Sequence, residues 1–373
     1  MPLKRINLFC IPLCLHYLCG TKILNKLKQV INNIIKVALP LLLGSVILWW
    51  TYRNFDFSRV SHVLWEEMDW GWMLLSIPFG ILAQMFRGWR WKQTLEPMGE
   101  HPKTSHCVNS IFVSYAANLL LPRVGEVSRC GVLKRYDGVS FSKSLGTVVT
   151  ERIIDTICIL LITGVTLLTQ MGVFSDFFKE TGTDLSNITA RFATIHYIIL
   201  GVSVLAIAVL LIYLINKLAV LSKVKAVFRN LCEGIFSLKK VRNKWLFVFY
   251  TIAIWTSYIL HFYLTFYAFG FTSELGVTAG LVLFVVGSIA VVVPTPNGAG
   301  PWHFAVITML VLYGVGQSDA EVFALLVHAI QTLLIIILGV VGWLLLNFEK
   351  PIEIKKDNTH EDYQGLDSKR DLE

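Results

Sequence analysis

Charge is what this sequence has too little of. Asp, Glu, Lys and Arg make up 16% of its 373 residues, where a water-facing domain carries about 25%. So few charges cannot cover a soluble surface; length alone would allow two soluble domains, but the apolar runs point to one membrane domain. Cysteine pairing is also missing. Cys10, Cys14, Cys19, Cys107, Cys130, Cys158 and Cys232 are scattered with no CxxC pair, which gives no support to a zinc or thiol-redox site. No GxxxxGK[ST], HExxH or GxSxG occurs, so the chain has no ATP-binding loop, zinc-protease helix or nucleophile elbow of its own. His101 and His106 are five apart, poor spacing for one helix face. No cofactor and no metal are expected.

What is there is apolar. Hydrophobic residues make up 55% of the chain and the mean hydropathy is +0.62. A helix needs about 20 mainly apolar residues to cross the hydrocarbon core. Six segments meet that standard: 34–52, 70–90, 144–170, 195–216, 245–270 and 321–346. Two more are short and interrupted. Residues 106–121 end in Leu121-Pro122-Arg123-Val124-Gly125-Glu126, and 277–315 break at Pro294-Thr295-Pro296-Asn297-Gly298-Ala299-Gly300-Pro301.

Basic residues orient the spans. The net charge of +8 sits in short segments between apolar runs, which reads as membrane orientation rather than nucleic-acid binding. Lys22, Lys26, Lys28 and Lys36 put the N-terminal segment in the cytoplasm. The loop 53–69, with Asp56, Glu66, Glu67 and Asp69, suits the outside. Arg87, Arg90, Lys92 and Lys103 return the chain to the cytoplasm, the two arginines reading with Trp89 and Trp91 as an interfacial belt. The stretch 122–143 is basic as well, so 106–121 is expected to turn back as a re-entrant hairpin. The loop 171–194 is then external, and the lysine-rich 217–244 forms an amphipathic helix on the inner leaflet. The second broken segment enters from the outer face.

The expected fold is all-α: a polytopic integral membrane protein with about six full transmembrane helices plus two re-entrant broken helical hairpins. Eight transmembrane helices is the alternative. Residues 1–30 read as an N-terminal extension or interfacial segment, 31–348 as the transmembrane domain and 349–373 as a polar cytoplasmic tail. A bacterial-type cytoplasmic (inner) membrane is the expected location, with both termini cytoplasmic.

Two broken segments in corresponding halves point to a transporter's binding site. Interrupted helices leave backbone N–H and C=O groups that lipid cannot satisfy, so they survive only in protein or beside a wet cavity. Three constellations follow. Asn118, Pro122, Arg123, Gly125, Glu126 and Arg129 surround the first break, with Glu126 and Arg129 on one helix face and able to neutralise each other. Glu151 and Asp155 are four apart with Arg152 beside them, about 13 Å into a helix that starts near Ser142. A buried network joining Arg123 or Arg129 to Glu151 and Asp155 is expected, because charge at membrane depth is costly unless paired. The third is the break at Pro294, Pro296, Gly298 and Gly300, followed by Trp302 and His303; there a hydrogen-bonded packing histidine competes with a titrating one.

At these residues the chain resembles the lysylphosphatidylglycerol synthase transmembrane-region family, also called flippase-like. The resemblance rests on Asn118…Leu121-Pro122-Arg123-Val124-Gly125-Glu126…Arg129, Glu151-Arg152…Asp155 and Pro294-Thr295-Pro296-Asn297-Gly298-Ala299-Gly300, and spans 34–346. It implies a lipid flippase-type domain, which in bifunctional members moves aminoacylated phosphatidylglycerol made by a C-terminal soluble domain. That synthase domain is not expected here, nor is aminoacyl transfer. Relatives usually carry a carboxylate near the end of the glycine-rich break, where this chain has Trp302-His303.

The reading is therefore a transporter-like protein, not an enzyme. It would bind an anionic lipid headgroup through Asn118, Arg123, Glu126, Arg129, Glu151, Arg152, Asp155 and His303. The lipid would be an aminoacylated phospholipid or an isoprenoid-phosphate-linked glycan, and a lipid-synthesis enzyme is a possible partner. A membrane enzyme or a non-transporting partner subunit in lipid-linked glycan or envelope-lipid synthesis stays open.

Overall fold

The computed structural model describes residues 38–53, 55–169 and 241–351. Every regular element among them is helical. The N-terminal extension 1–30, the loop 171–194, the span 195–216, most of the amphipathic 217–244 and the tail beyond 351 lie outside the described residues. Helix α1 covers Ala38–Tyr52. Then come a short α2 (Phe57–His62), a π-helical turn at Val63–Glu67, α3 (Trp70–Leu95), α4 (Thr104–Leu120), α5 (Val124–Asp137) and α6 (Phe141–Thr169). The second described stretch holds α7 (Lys244–Tyr263), α8 (Val277–Ala290), α9 (Pro301–Leu312) and α10 (Gln317–Asn347).

Phe141–Thr169, Lys244–Ala268 and Gln317–Asn347 are long and apolar enough to cross a membrane. Shorter apolar helices accompany them. Many large apolar side chains on these helices face outward, among them Leu160, Leu168, Ile252 and Ile337. Side chains that water would force inward point outward where lipid is the solvent. The molecule is a multi-pass, membrane-embedded helical protein.

Local chemistry sets the helix ends. Asp69 accepts a hydrogen bond from Gly71 N at 2.7 Å and caps α3. Asn243 accepts from Leu246 N at 3.1 Å and caps α7. Gly138, left-handed at φ 69°, stops α5. The stretch 53–69, read from the sequence as an external loop, is instead largely helical. Its Arg59 pairs with Glu67 and, at 3.0 Å, with Asp319 at the start of α10.

Both interrupted segments fold back on themselves. Helices α4 and α5 lie antiparallel: His106 meets Asp137 at the open end, and Ser114 faces Gly125 near the turn. Helices α8 and α9 do the same, with Gly287 against Trp302 and Val306, and Val291 against Gly298. Close backbone approach holds these pairs to their neighbours. Gly339 and Gly342 of α10 lie on Ala116 and Asn109 of α4, the small-residue contact that membrane helices favour. The turn of the second pair, at Pro296–Gly298, also touches α4. Two apolar cores result, one around Phe262, Phe266 and Phe323, the other around Trp91, Ile111 and Leu133.

Candidate anion site

The site is built where α3, α5 and α6 converge. Glu151 and Asp155 are one turn apart on α6, so both carboxylates leave the same face. Arg87 and Arg90 are similarly spaced on α3. Arg87 Nη1 donates to Glu151 Oε1 at 2.6 Å and to Asp155 Oδ2 at 2.7 Å. Arg90 Nη2 donates to Asp155 Oδ1 at 2.8 Å. From α5, Arg129 Nη1 donates to Glu151 Oε2 at 2.8 Å. Arg152 lies 3.5 Å from both carboxylates, its side chain 45% exposed while Arg87, Arg90 and Arg129 are buried.

Aromatic rings close the walls. The Arg129 guanidinium sits over Trp91 at 4.6 Å, and Trp91 Nε1 donates to Thr147 Oγ1. Arg87 lies 6.0 and 5.8 Å from the rings of Tyr115 and Tyr258, whose hydroxyls hydrogen-bond each other at 2.9 Å. A cleft of about 280 Å³ shares Tyr258 as a wall and continues along Trp255, Phe284 and Trp302.

The charges do not balance. Four guanidinium groups face two carboxylates. Nor are the donors satisfied: Arg87 Nε and Arg129 Nε and Nη2 are buried without an acceptor among the described residues. A buried polar group left unpaired costs about 1–3 kcal/mol, and more when charged. Surplus positive charge together with spare N–H groups is the chemistry of an anion site.

The sequence-predicted residues divide. Arg129, Glu151, Arg152 and Asp155 meet as expected. Arg123 does not join them. It is exposed at the turn before α5, with a left-handed φ of 67°, because the chain reverses there and the residue falls outside the helix. Glu126 forms no ion pair among the described residues, and its Oε2 is buried without a partner; Arg129 turns to Glu151 instead. Arg87 and Arg90 are not an interfacial belt but the centre of the network, 3% and 1% exposed. The signal for them was the stripe Gln84, Arg87, Trp91 and Thr94, polar or aromatic at helical spacing and buried throughout.

Around the first break, Asn118 Oδ1 accepts from Gly125 N at 2.8 Å, serving a backbone donor that lipid could not. A Cβ on Gly125 would stand 2.1 Å from Ser114 O. Pro122 lies in the turn between the helices. The second break is neutral. Gly298 and Gly300 have φ of 71° and 92°, Asn297 has 52°, and the turn runs between Pro294 and Pro301 through Pro296. His303 Nδ1 accepts from Gly300 N at 3.4 Å, and its ring packs on Tyr52, Trp302 and His328. His328 is held by Asn297 O and Thr332. These contacts put His303 outside the arginine cluster, as a hydrogen-bonded packing residue.

At the open end of the α4–α5 pair, His106 lies between Asp137 and Glu349, each at 2.9 Å. A hydrogen bond from Lys103 holds the Glu349 carboxyl below its ordinary range. This cluster ties the end of α10 to α4 and α5.

Comparison with known proteins gives a distant curated relative. The protein named glycosyltransferase AglD, from Haloferax volcanii, is 26% identical over 316 residues, covering 75% of this chain and 50% of that protein. The chain thus spans about half the length of the curated relative it matches. No solved structure matches it. Residues 37–339, which contain α1, both folded-back pairs and the whole arginine cluster, match the family described as "Lysylphosphatidylglycerol synthase TM region", and the chain belongs to that family.

Proposed function

We propose that this protein binds an anionic phosphate-bearing lipid and moves it across the cytoplasmic membrane. The observation that carries the reading is the buried excess of guanidinium over carboxylate, with unpartnered N–H groups on Arg87 and Arg129. The phosphate would bind at Arg87, Arg90, Arg129 and Arg152, held in place by Glu151 and Asp155. Asn118, Pro122 and Gly125 shape the turn beside it, and Arg123 serves as an outer contact. His303 would act from the neighbouring break through packing.

In the proposed topology six spans surround two broken hairpins entering from opposite faces, with both termini cytoplasmic. Such a frame suits alternating exposure of a midplane site. Transport without a nucleotide site would be scrambling, ion coupling or flow down a gradient set by synthesis on one face. The name of the AglD relative, a glycosyltransferase, favours a second reading, a subunit or enzyme of lipid-linked glycan synthesis.

Native mass spectrometry in mild detergent separates the two. Wild type should retain an anionic lipid that Arg129→Ala loses while still eluting as the same monodisperse peak. Should Arg129→Ala aggregate, Arg152→Ala makes the same comparison, because its half-exposed side chain can be removed without opening the core. Equal amounts of bulk phospholipid in all proteins would sink the headgroup site and move weight to the second reading.

A further inference from the structure

The charge count and the unused donors say which anionic headgroup fits. Four arginines against two carboxylates leave a surplus of two positive charges within the contacting set. Glu126 pairs with none of these arginines among the described residues. Among the described residues the other groups in contact with the cluster are neutral: Trp91, Tyr115, Thr147, Phe247, Thr251 and Tyr258. On the arginines the groups left unmet among the described residues are donors, Arg87 Nε and Arg129 Nε and Nη2, while Gln84 Oε1 on α3 and Glu126 Oε2 on α5 are unmet acceptors nearby. A ligand must therefore bring acceptors and negative charge.

We infer that the cluster is built for a doubly negative phosphate, a phosphomonoester or a diphosphate, on a lipid whose headgroup carries no amine, and that it rejects aminoacylated phospholipid. This rests on the anionic-lipid reading above. A phosphodiester offers one negative charge and leaves the other surplus unmatched. Lysyl-phosphatidylglycerol is worse: its two amines bring positive charge and more donors to a site already rich in both. Inside a protein such like-charge contact is poorly screened. The family description names a lysylated lipid, but the electrostatics of this chain oppose one.

The test is competition for the purified full-length protein in detergent at pH 8, where a phosphomonoester is doubly charged. Phosphatidate, phosphatidylglycerol, lysyl-phosphatidylglycerol and phosphatidylcholine with identical acyl chains are compared. Phosphatidate should bind about tenfold tighter than phosphatidylglycerol, and lysyl-phosphatidylglycerol no better than phosphatidylcholine. Arg152→Gln, which removes one surplus charge from the half-exposed rim, should bring phosphatidate and phosphatidylglycerol together. Lysyl-phosphatidylglycerol binding as well as phosphatidylglycerol overturns the inference, as does equal binding of the mono- and doubly charged lipids; both leave the anionic-lipid reading standing. Inorganic phosphate displacing phosphatidate at equal concentration overturns the lipid assignment. No preference for any anionic lipid over phosphatidylcholine overturns both.

Discussion

The two folded-back helix pairs meet the same backbone problem in opposite ways. The α4–α5 turn is served by a side chain, Asn118 accepting from Gly125 N, and α5 carries Arg129 into the charged cluster. The α8–α9 turn relies on positive-φ glycines and a ring of neutral contacts among Asn297, His303, His328 and Thr332. A break that holds charge must be braced by countercharge from other helices. A neutral break can brace itself. In the proposed reading the first pair carries a headgroup contact, Arg129, while the second pair walls the adjoining cleft through Phe284, Gly287 and Trp302.

The largest way to break this contrast is at Glu151, where Arg87, Arg129 and Arg152 meet. Removing one partner from a buried ion network typically destabilises by about 3–5 kcal/mol. Glu151→Gln should therefore lower the detergent melting midpoint sharply. His303→Gln, which keeps an acceptor for Gly300 N and disturbs no charge, should cost about 1 kcal/mol of stability and lower the midpoint far less. Comparable losses in the two variants would erase the distinction between a charged and a neutral break.

A middle effect comes from the glycines. At Gly125 an added Cβ meets the backbone oxygen of Ser114, so α4 and α5 must part. Overpacking of this kind costs about 1–3 kcal/mol. Gly298→Ala meets Val291 Cγ2 at 2.7 Å, on a side chain stiff at χ1, and must also hold φ 71°, a backbone strain of about 1–2 kcal/mol. Lipid binding sharpens the comparison. Gly125→Ala should weaken retention of the anionic lipid more than Gly298→Ala does, because only the first displaces the helix that carries Arg129. The reverse order, read by native mass spectrometry, would make the second pair the ligand-facing one.

Much of this was legible from residue order. Hydropathy found the apolar helices, and the Pro-Gly clusters found both reversals: the interrupted segment 106–121 is α4 up to its turn, and 277–315 is the α8–α9 pair. The spacing of Glu151 and Asp155 gave the carboxylate face. The arginine partners were not legible, because Arg123 and Arg129 differ only in how the hairpin turns. One residue sits in the reversal with positive φ; the other lies one and a half turns into α5 and faces α6. Arg87 and Arg90 were hidden by their tryptophan neighbours, which read as an interfacial belt. Only the packing of α4, α6 and α7 against α3 makes their face an interior one.

The smallest effect concerns pH at the end of the first pair, where Glu349 follows α10 and meets Lys103 and His106. The hydrogen bond from Lys103 lowers the Glu349 carboxyl from its ordinary 4.5. A carboxylate with a depressed folded-state value contributes stability that is present above its unfolded value and lost as pH falls through the folded one. The contact should therefore hold at neutral pH and weaken only well below pH 4.5. Hydrogen exchange at the last turn of α10, corrected for intrinsic rates, should be faster at pH 3.5 than at pH 7. Glu349→Gln should remove that difference while leaving the melting midpoint nearly unchanged, since the pair is solvent-exposed. Because the second pair has no such charged tie among the described residues, exchange in α9 should show no acid-dependent change of its own. Equal acid sensitivity in α9 and at the end of α10 would mean that the whole bundle loosens, and that Glu349 only reports it.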